Sequence, residues 1–326
     1  MRRFVLRPDL CLDTSVKKSE TLLNRRHFLA AGGATLAAAA VPAFPQSAAS
    51  TPQPPHPASP GKPRFRTGLV AYSYRLALQA KTMTYEDLIR IAVDTGTDGI
   101  DMTVYWMPRT SDDYLLPLRR LAYRNRVEIY SIGTRVRLAQ PPGPLQDKEL
   151  ADLRKWVDVA ERLGATHVRV FSGSKPDGAT MEQAIGMAAD TLKRGAEYAG
   201  ARGIILGLED DGGLTEYARE TIQIVTRADS PWAGMNLDIG NFRPPDVYGQ
   251  IDMSIPYAVS THVKTEMALD DGKTRGPFDW DRVFTMFVRQ GFRGYMGLEY
   301  EAAEDPLVAV PGYLKTLKTL AVKYSG

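Results

Sequence analysis

The sequence predicts an α/β fold, a single-domain (β/α)8 TIM barrel over residues 67–326. Three observations predict it. Eight short, β-rich apolar runs alternate with amphipathic helical stretches through this part of the chain. Several of those runs end in an acid or a histidine, at the end where barrels of this kind carry their chemistry. No Gly-x-Gly-x-x-Gly follows the first run, so an open doubly wound sheet lacks its usual nucleotide signature.

The strands are expected at Gly68–Tyr72, Gly99–Met102, Val127–Ser131, His167–Phe171, Ile204–Glu209, Gly234–Asp238, Val259–Val263 and Tyr295–Glu299. Helical patterns lie between them, at Tyr85–Asp94, Lys148–Leu163, Met181–Ala201 and Asp281–Gln290, with a last helix over Pro306–Val322. Gly96, Gly164, Gly203 and Gly291 fall just past helix ends, where a left-handed residue is often needed. Asn241–Pro256 is the least regular connection. A barrel of about 250 residues fills most of the 326-residue chain, and 44% hydrophobic content suffices for one core.

The first 49 residues are expected to be a leader. A twin arginine, Arg25-Arg26, precedes an Ala/Gly-rich apolar run from Ala30 to Val41, the pattern of a twin-arginine export signal. The run is too short to span a bilayer, which takes about 20 apolar residues. Cleavage is expected after Ala43 or Ala49. Residues 50–66 hold six prolines and form an extended linker. These features predict the twin-arginine export machinery as a partner, a periplasmic or otherwise exported location, and no stable membrane span in the mature form. Because that route carries folded proteins, it suits a protein that takes up its cofactor before export.

The net charge of +3 reflects this leader. Seven of the 41 Lys/Arg and three of the 38 Asp/Glu precede Ser50, so the remainder holds 34 basic and 35 acidic residues. A neutral body speaks against tracking a phosphate backbone, and nucleic acid is not an expected partner. Cys11 is the only cysteine, and it lies in the leader. A mature protein without it has no thiolate metal ligand and no cysteine nucleophile.

The chemistry concentrates at strand ends. Glu209 ends the fifth run, Asp238 the sixth, His262 lies on the seventh and Glu299 ends the eighth. Four adjacent strands would project these side chains into one mouth. Three clustered carboxylates repel one another unless some protonate, and a divalent cation removes that difficulty. Three oxygen donors and one imidazole suit Mn²⁺, Mg²⁺, Co²⁺ or Zn²⁺, with Mn²⁺ favoured. A single strand-end acid can equally be a helix cap or an ion-pair partner; four at corresponding ends are harder to explain that way. Lys264 either binds a substrate oxygen or holds a carboxylate. Asn241 either binds a hydroxyl or satisfies backbone groups of its loop. Trp106 either stacks on a sugar face or packs a loop. Tyr72, Arg135, Arg169 and Arg275 are weaker candidates, and His167 is expected to be structural.

These segments resemble the xylose-isomerase-like superfamily of sugar isomerases and epimerases, the sugar phosphate isomerase/epimerase family. The resemblance is carried by Leu206-Gly207-Leu208-Glu209-Asp210-Asp211-Gly212-Gly213, Asn236-Leu237-Asp238-Ile239-Gly240-Asn241-Phe242, Thr261-His262-Val263-Lys264, Gly276-Pro277-Phe278-Asp279-Trp280 and Gly297-Leu298-Glu299-Tyr300-Glu301. It implies that Glu209, Asp238, His262 and Glu299 are ligands of one divalent ion. It also implies that Glu209 and Glu299 are acid/base carboxylates on opposite faces of a substrate. Many relatives have Asn-His after the first glutamate; here Asp210-Asp211 stands there, which puts that histidine's substrate role in doubt.

The implied activity is isomerisation or epimerisation of a sugar, keto-sugar or polyol by proton abstraction next to a carbonyl. Export favours a non-phosphorylated substrate. The same abstraction can expel a β-leaving group, so a dehydratase or a lyase cleaving a 3-keto-glycoside is the alternative. An AP-endonuclease-like enzyme would need a histidine-rich trinuclear zinc site, and only His167 and His262 lie in the barrel. A non-catalytic sugar-binding barrel would not require both Glu209 and Glu299. The resembled family often forms dimers or tetramers, but nothing in this chain demands a homo-oligomer.

Overall fold

The computed structural model describes residues 64–325. The expected leader with its export signal, and nearly all of the expected linker, lie outside the described residues. In chain order the elements are β1 (Arg64–Val70), α1 (Arg75–Gln79), α2 (Tyr85–Thr95), β2 (Gly99–Thr103), α3 (Asp112–Arg124), β3 (Glu128–Arg137), α4 (Pro144–Leu163), β4 (His167–Phe171) and α5 (Met181–Gly200). They continue as β5 (Ile205–Glu209), α6 (Ala218–Ala228), β6 (Ala233–Asp238), α7 (Val247–Ser254), β7 (Ala258–Val263), β8 (Glu266–Ala268), β9 (Arg275–Pro277), α8 (Trp280–Arg289), β10 (Arg293–Leu298) and α9 (Pro306–Tyr324).

Eight parallel strands close in the order β1-β10-β7-β6-β5-β4-β3-β2. The expected TIM barrel is therefore the observed fold. Closure follows from the alternation of apolar strands with helices that have one apolar face. Helix α2 illustrates the local control. Thr84 and Asp87 form a capping box at its start, and Gly96 ends it in the left-handed conformation at φ +67°.

Along each strand, alternate residues face opposite ways. Val168 and Val170, Leu206 and Leu208, and Leu237 are fully buried in the apolar core. Their neighbours His167, Arg169, Glu209, Asn236 and Asp238 are buried too, yet polar, and they contact one another across strands. The lumen of this barrel is thus polar where its outer layer is aliphatic.

The structure corrects several boundaries. Strand β1 begins at Arg64 and ends at Val70, and Ala71–Tyr74 is a 3-10 turn. Arg64–Arg66, expected in the linker, belong to the strand. Strand β3 runs to Arg137, six residues past its expected end, and carries Arg135 and Arg137 beyond the barrel proper. The expected loop at Asn241–Pro256 contains α7, capped by Asp246. Between β7 and α8 lies an antiparallel ribbon, β8 with β9, that the sequence pattern did not reveal. Among the described residues, no helix is long and apolar enough to cross a membrane.

Candidate metal centre and active site

One ligand atom from each of Glu209, Asp238, His262 and Glu299 lies within 4.8 Å of the others, and all four residues are buried. The four expected ligands therefore do meet. The reason is register: Leu237 pairs with Thr261 and Asp238 with His262, while Gly297 pairs with His262, so neighbouring strands end at one level. His262 Nδ1 is 2.7 Å from a Glu209 oxygen, 3.5 Å from Glu299 and 3.9 Å from Asp238.

Two observations fit this cluster to a divalent cation. His262 Nδ1 and Asp238 Oδ2 are buried atoms without a hydrogen bond of acceptable geometry, and both face the other carboxylates. Left to itself, the cluster must also hold protons. Burial first, then repulsion from Glu299 and Glu209, pushes the Asp238 carboxyl up to about 8 despite Lys264. Burial works against a charged His262, but Glu299 and Glu209 outweigh it and hold the imidazole well above its usual range. A divalent ion would displace those protons and satisfy the open atoms.

Three further groups hold the ligands in place. Asp101 of β2 reaches across the lumen to His262 Nε2 at 3.2 Å. Asn236 donates from Nδ2 to Glu209 Oε1 at 3.0 Å. Asp210 is fully buried and accepts the Asp238 backbone N–H at 2.8 Å. The Asp238 carboxylate itself accepts the Gly240 N–H at 2.8 Å.

Two cations complete the floor. Lys264 Nζ lies 2.6 Å from Glu299 and 3.3 Å from Asp238, and it also contacts Glu301. Burial would raise the Glu299 carboxyl, but Lys264 and His262 reverse this and hold it well below the usual carboxylate range. Of the two roles open to Lys264, the structure places it on the carboxylates. Arg169 Nε is 3.1 Å from Glu209 Oε2, while its Nη1 donates to Tyr105 Oη and the Thr134 carbonyl.

A cavity of about 440 Å³ opens above this floor. Glu209, Glu299, Lys264, Asn241, Asp211 and Trp106 all line it. Asn241 makes no hydrogen bond to another described residue, so its amide is not consumed by its loop. Trp106 stacks on Tyr72 at 6.0 Å between centroids and meets Tyr105 edge-on at 5.6 Å, packing a loop while walling the cavity. Asp211 lies at the mouth of this cavity. Partial burial, then Glu209, pushes its carboxyl up to about 6. Arg275 does not line this cavity and instead donates to the Glu266 carbonyl at 2.8 Å. His167 bonds Ser131 Oγ through Nδ1 at 2.8 Å and stays out of the four-residue cluster, as expected of a structural residue.

Asp101, Asn236 and Asp210 are site residues that the strand-end pattern does not mark, and Arg169, a weaker candidate by sequence, contacts Glu209 directly. A signal existed. An acid or an arginine inside a short, otherwise apolar strand has no place on the aliphatic side, so Asp101 and Arg169 had to face the lumen.

Residues 89–318 match the family model described as xylose isomerase-like TIM barrel. The chain belongs to the xylose isomerase-like TIM barrel family. Solved structures of similar fold include the IolI protein with a bound zinc atom, at a TM-score of 0.67 and 14% identity, covering 80% of this chain and 98% of that one. D-psicose 3-epimerase of Clostridium cellulolyticum H10, solved with D-tagatose, gives a TM-score of 0.61 and 15% identity, with 80% and 96% coverage. The 3-keto-D-glucoside 4-epimerase of E. coli gives 0.62 and 13%, with 79% and 100% coverage. No curated protein sequence matches the chain. At these identities the likeness to solved structures is one of fold.

Proposed function

We propose that this xylose isomerase-like barrel is a divalent-metal-dependent isomerase or epimerase acting on a sugar or keto-sugar. The observation that carries this reading is the position of Glu209 and Glu299. They are two buried carboxylates of one metal-competent cluster, and both also line the cavity.

Glu209, Asp238, His262 and Glu299 would hold the ion, with Mn²⁺ favoured for an oxygen-rich set. When bound, the ion supplies Lewis-acid polarisation of a carbonyl, which acidifies the neighbouring C–H. Glu209 and Glu299 then divide the proton work, one removing the α-proton and the other returning it. Two carboxylates on opposite faces allow inversion, and one acting alone allows transfer to the adjacent carbon. Lys264 keeps Glu299 ionised, and Arg169 and Asn236 orient Glu209. Tyr72 and Trp106 offer an aromatic wall to the apolar face of a sugar ring, and Asn241 offers a free amide to a hydroxyl. The names of similar folds, two sugar epimerases and a zinc-binding protein, support this class of substrate and cofactor.

The first test is metal content. The purified protein is expected to hold about one divalent ion per chain, and His262→Ala and Glu299→Gln to weaken or lose it. No bound ion after reconstitution, with both variants folded, would remove the mechanism. The second test is incubation with keto-sugars in D₂O. Deuterium at the α-carbon with the substrate skeleton retained supports isomerisation or epimerisation. Loss of water or of an aglycone would assign β-elimination to the same site instead.

A further inference from the structure

Strand β3 extends past the barrel rim, and its last turns of pleat place Arg135 and Arg137 two residues apart, on one side of the strand. Both are exposed, and both line the cavity above the metal-competent cluster. Register fixes where they stand. Arg137 pairs with Phe171 of β4, and Phe171 pairs with Glu209 of β5. Two strand spacings, about 10 Å, thus separate the Arg137 and Glu209 backbones.

The charges on this wall are not spent on the protein itself. Arg169 and Lys264, the cations of the floor, are each paired with carboxylates. Arg135 and Arg137 have no carboxylate within ion-pair distance among the described residues. The Arg135 guanidinium lies over the Tyr105 ring, 4.1 Å from its centroid. Glu149 accepts the Arg137 backbone N–H at 2.9 Å, not a bond from its guanidinium. A third lining cation, Arg75, bonds only the Tyr72 and Tyr300 carbonyls. Against these three stand Asp211, which pairs with no cation among the described residues, and Glu301, which shares Lys264 with Glu299. The wall keeps a surplus of positive charge facing the cavity.

Guanidinium groups are the side chains suited to planar, charge-assisted recognition of an oxyanion. A neutral hexose gives them nothing to neutralise. Stacking on Tyr105 also fixes Arg135 beforehand, so less side-chain entropy is lost when it binds.

We propose that Arg135 and Arg137 form an oxyanion subsite, so that the substrate is an acidic sugar bearing a carboxylate or phosphate at the end remote from the reacting carbonyl. This deepens the proposed function and rests on it for the orientation of the substrate. The twin-arginine reading of the leader favours the carboxylate.

The test is calorimetric titration of the full, Mn²⁺-loaded protein with D-gluconate, D-glucitol 6-phosphate and neutral D-glucitol. At least one anion is expected to bind ten or more times more tightly than D-glucitol, and the tighter one names the group. Arg135→Gln/Arg137→Gln should abolish that preference while keeping its Mn²⁺ content and melting temperature. His262→Ala should keep the preference. Equal binding of anionic and neutral ligands would overturn the proposal. So would a preference that survives in the double arginine variant but is lost in His262→Ala, which would put the oxyanion on the metal. Failure of the proposed reaction is read separately, from the D₂O incubation, and leaves these titrations interpretable.

Discussion

The Asp101 carboxylate lies 3.2 Å from His262 Nε2, on the side of the ring opposite the carboxylate cluster. The two residues come from β2 and β7, which are not neighbours in the barrel, so the contact crosses the lumen. It occupies the ring nitrogen that points away from the other three candidate ligands. His262 is thereby left with Nδ1 directed at Glu209, Asp238 and Glu299.

Asp101→Asn is therefore expected to weaken Mn²⁺ binding by about 10- to 100-fold, the usual cost of losing a partner that orients a metal-bound imidazole. Titration of the metal-free protein measures it. An unchanged affinity, with the fold intact, would show that Asp101 does not set the ring.

The stabilisation conferred by Mn²⁺ should grow with pH. Burial and the neighbouring Glu299 and Glu209 push the Asp238 carboxyl up to about 8 in the metal-free folded chain, from its usual 3.8. Between those values the folded state holds a proton that the unfolded state has released, so the metal-free protein loses stability as pH rises. A bound cation replaces that proton. The rise in Tm on saturating Mn²⁺ should thus be larger at pH 8 than at pH 6. A rise that is the same at both would contradict a protonated cluster.

Lys264→Met should destabilise the metal-free protein by about 3–5 kcal/mol, because it leaves Glu299 and Asp238 buried without their cation. The loss should be smaller in the metal-loaded protein, where the ion supplies positive charge to the same oxygens. Urea unfolding of both forms at pH 7 decides this. An equal loss in both would mean that Lys264 serves the fold independently of the cluster.

Arg169→Met is expected to lower kcat by about 100-fold with metal content preserved, since Glu209 loses the group that orients it without losing its donor oxygen. Gly133→Ala should reproduce part of that loss. A methyl at position 133 would sit 2.8 Å from Arg169 Nη2 and drive the guanidinium aside. Normal turnover in both variants would remove Arg169 from the positioning of Glu209.

Much of the site could be read from the chain because strand ends carry it. Glu209, Asp238 and Glu299 stand where an apolar run stops, and His262 is followed by Val263 and Lys264 in a run of the same kind. Position in the chain is enough to place such residues at one mouth. Asp101, Arg169 and Asn236 lie within their strands rather than at the ends, so their roles depend on which lumen-facing residues meet.

By itself, the sequence determined the barrel, the identity of the four clustered donors and the lack of thiolate ligands in the body. Alternation of apolar runs and helices leaves few ways to bury so much surface, and the single cysteine, Cys11, precedes the barrel, so no barrel strand can supply a thiolate. Tertiary structure alone decided that Lys264 holds carboxylates, that Asp101 orients His262, and that Arg135 and Arg137 face the cavity uncompensated. Those facts depend on the register between strands and on distances across the lumen. A local pattern tells which face a side chain takes, but only closure of the barrel decides what it meets there.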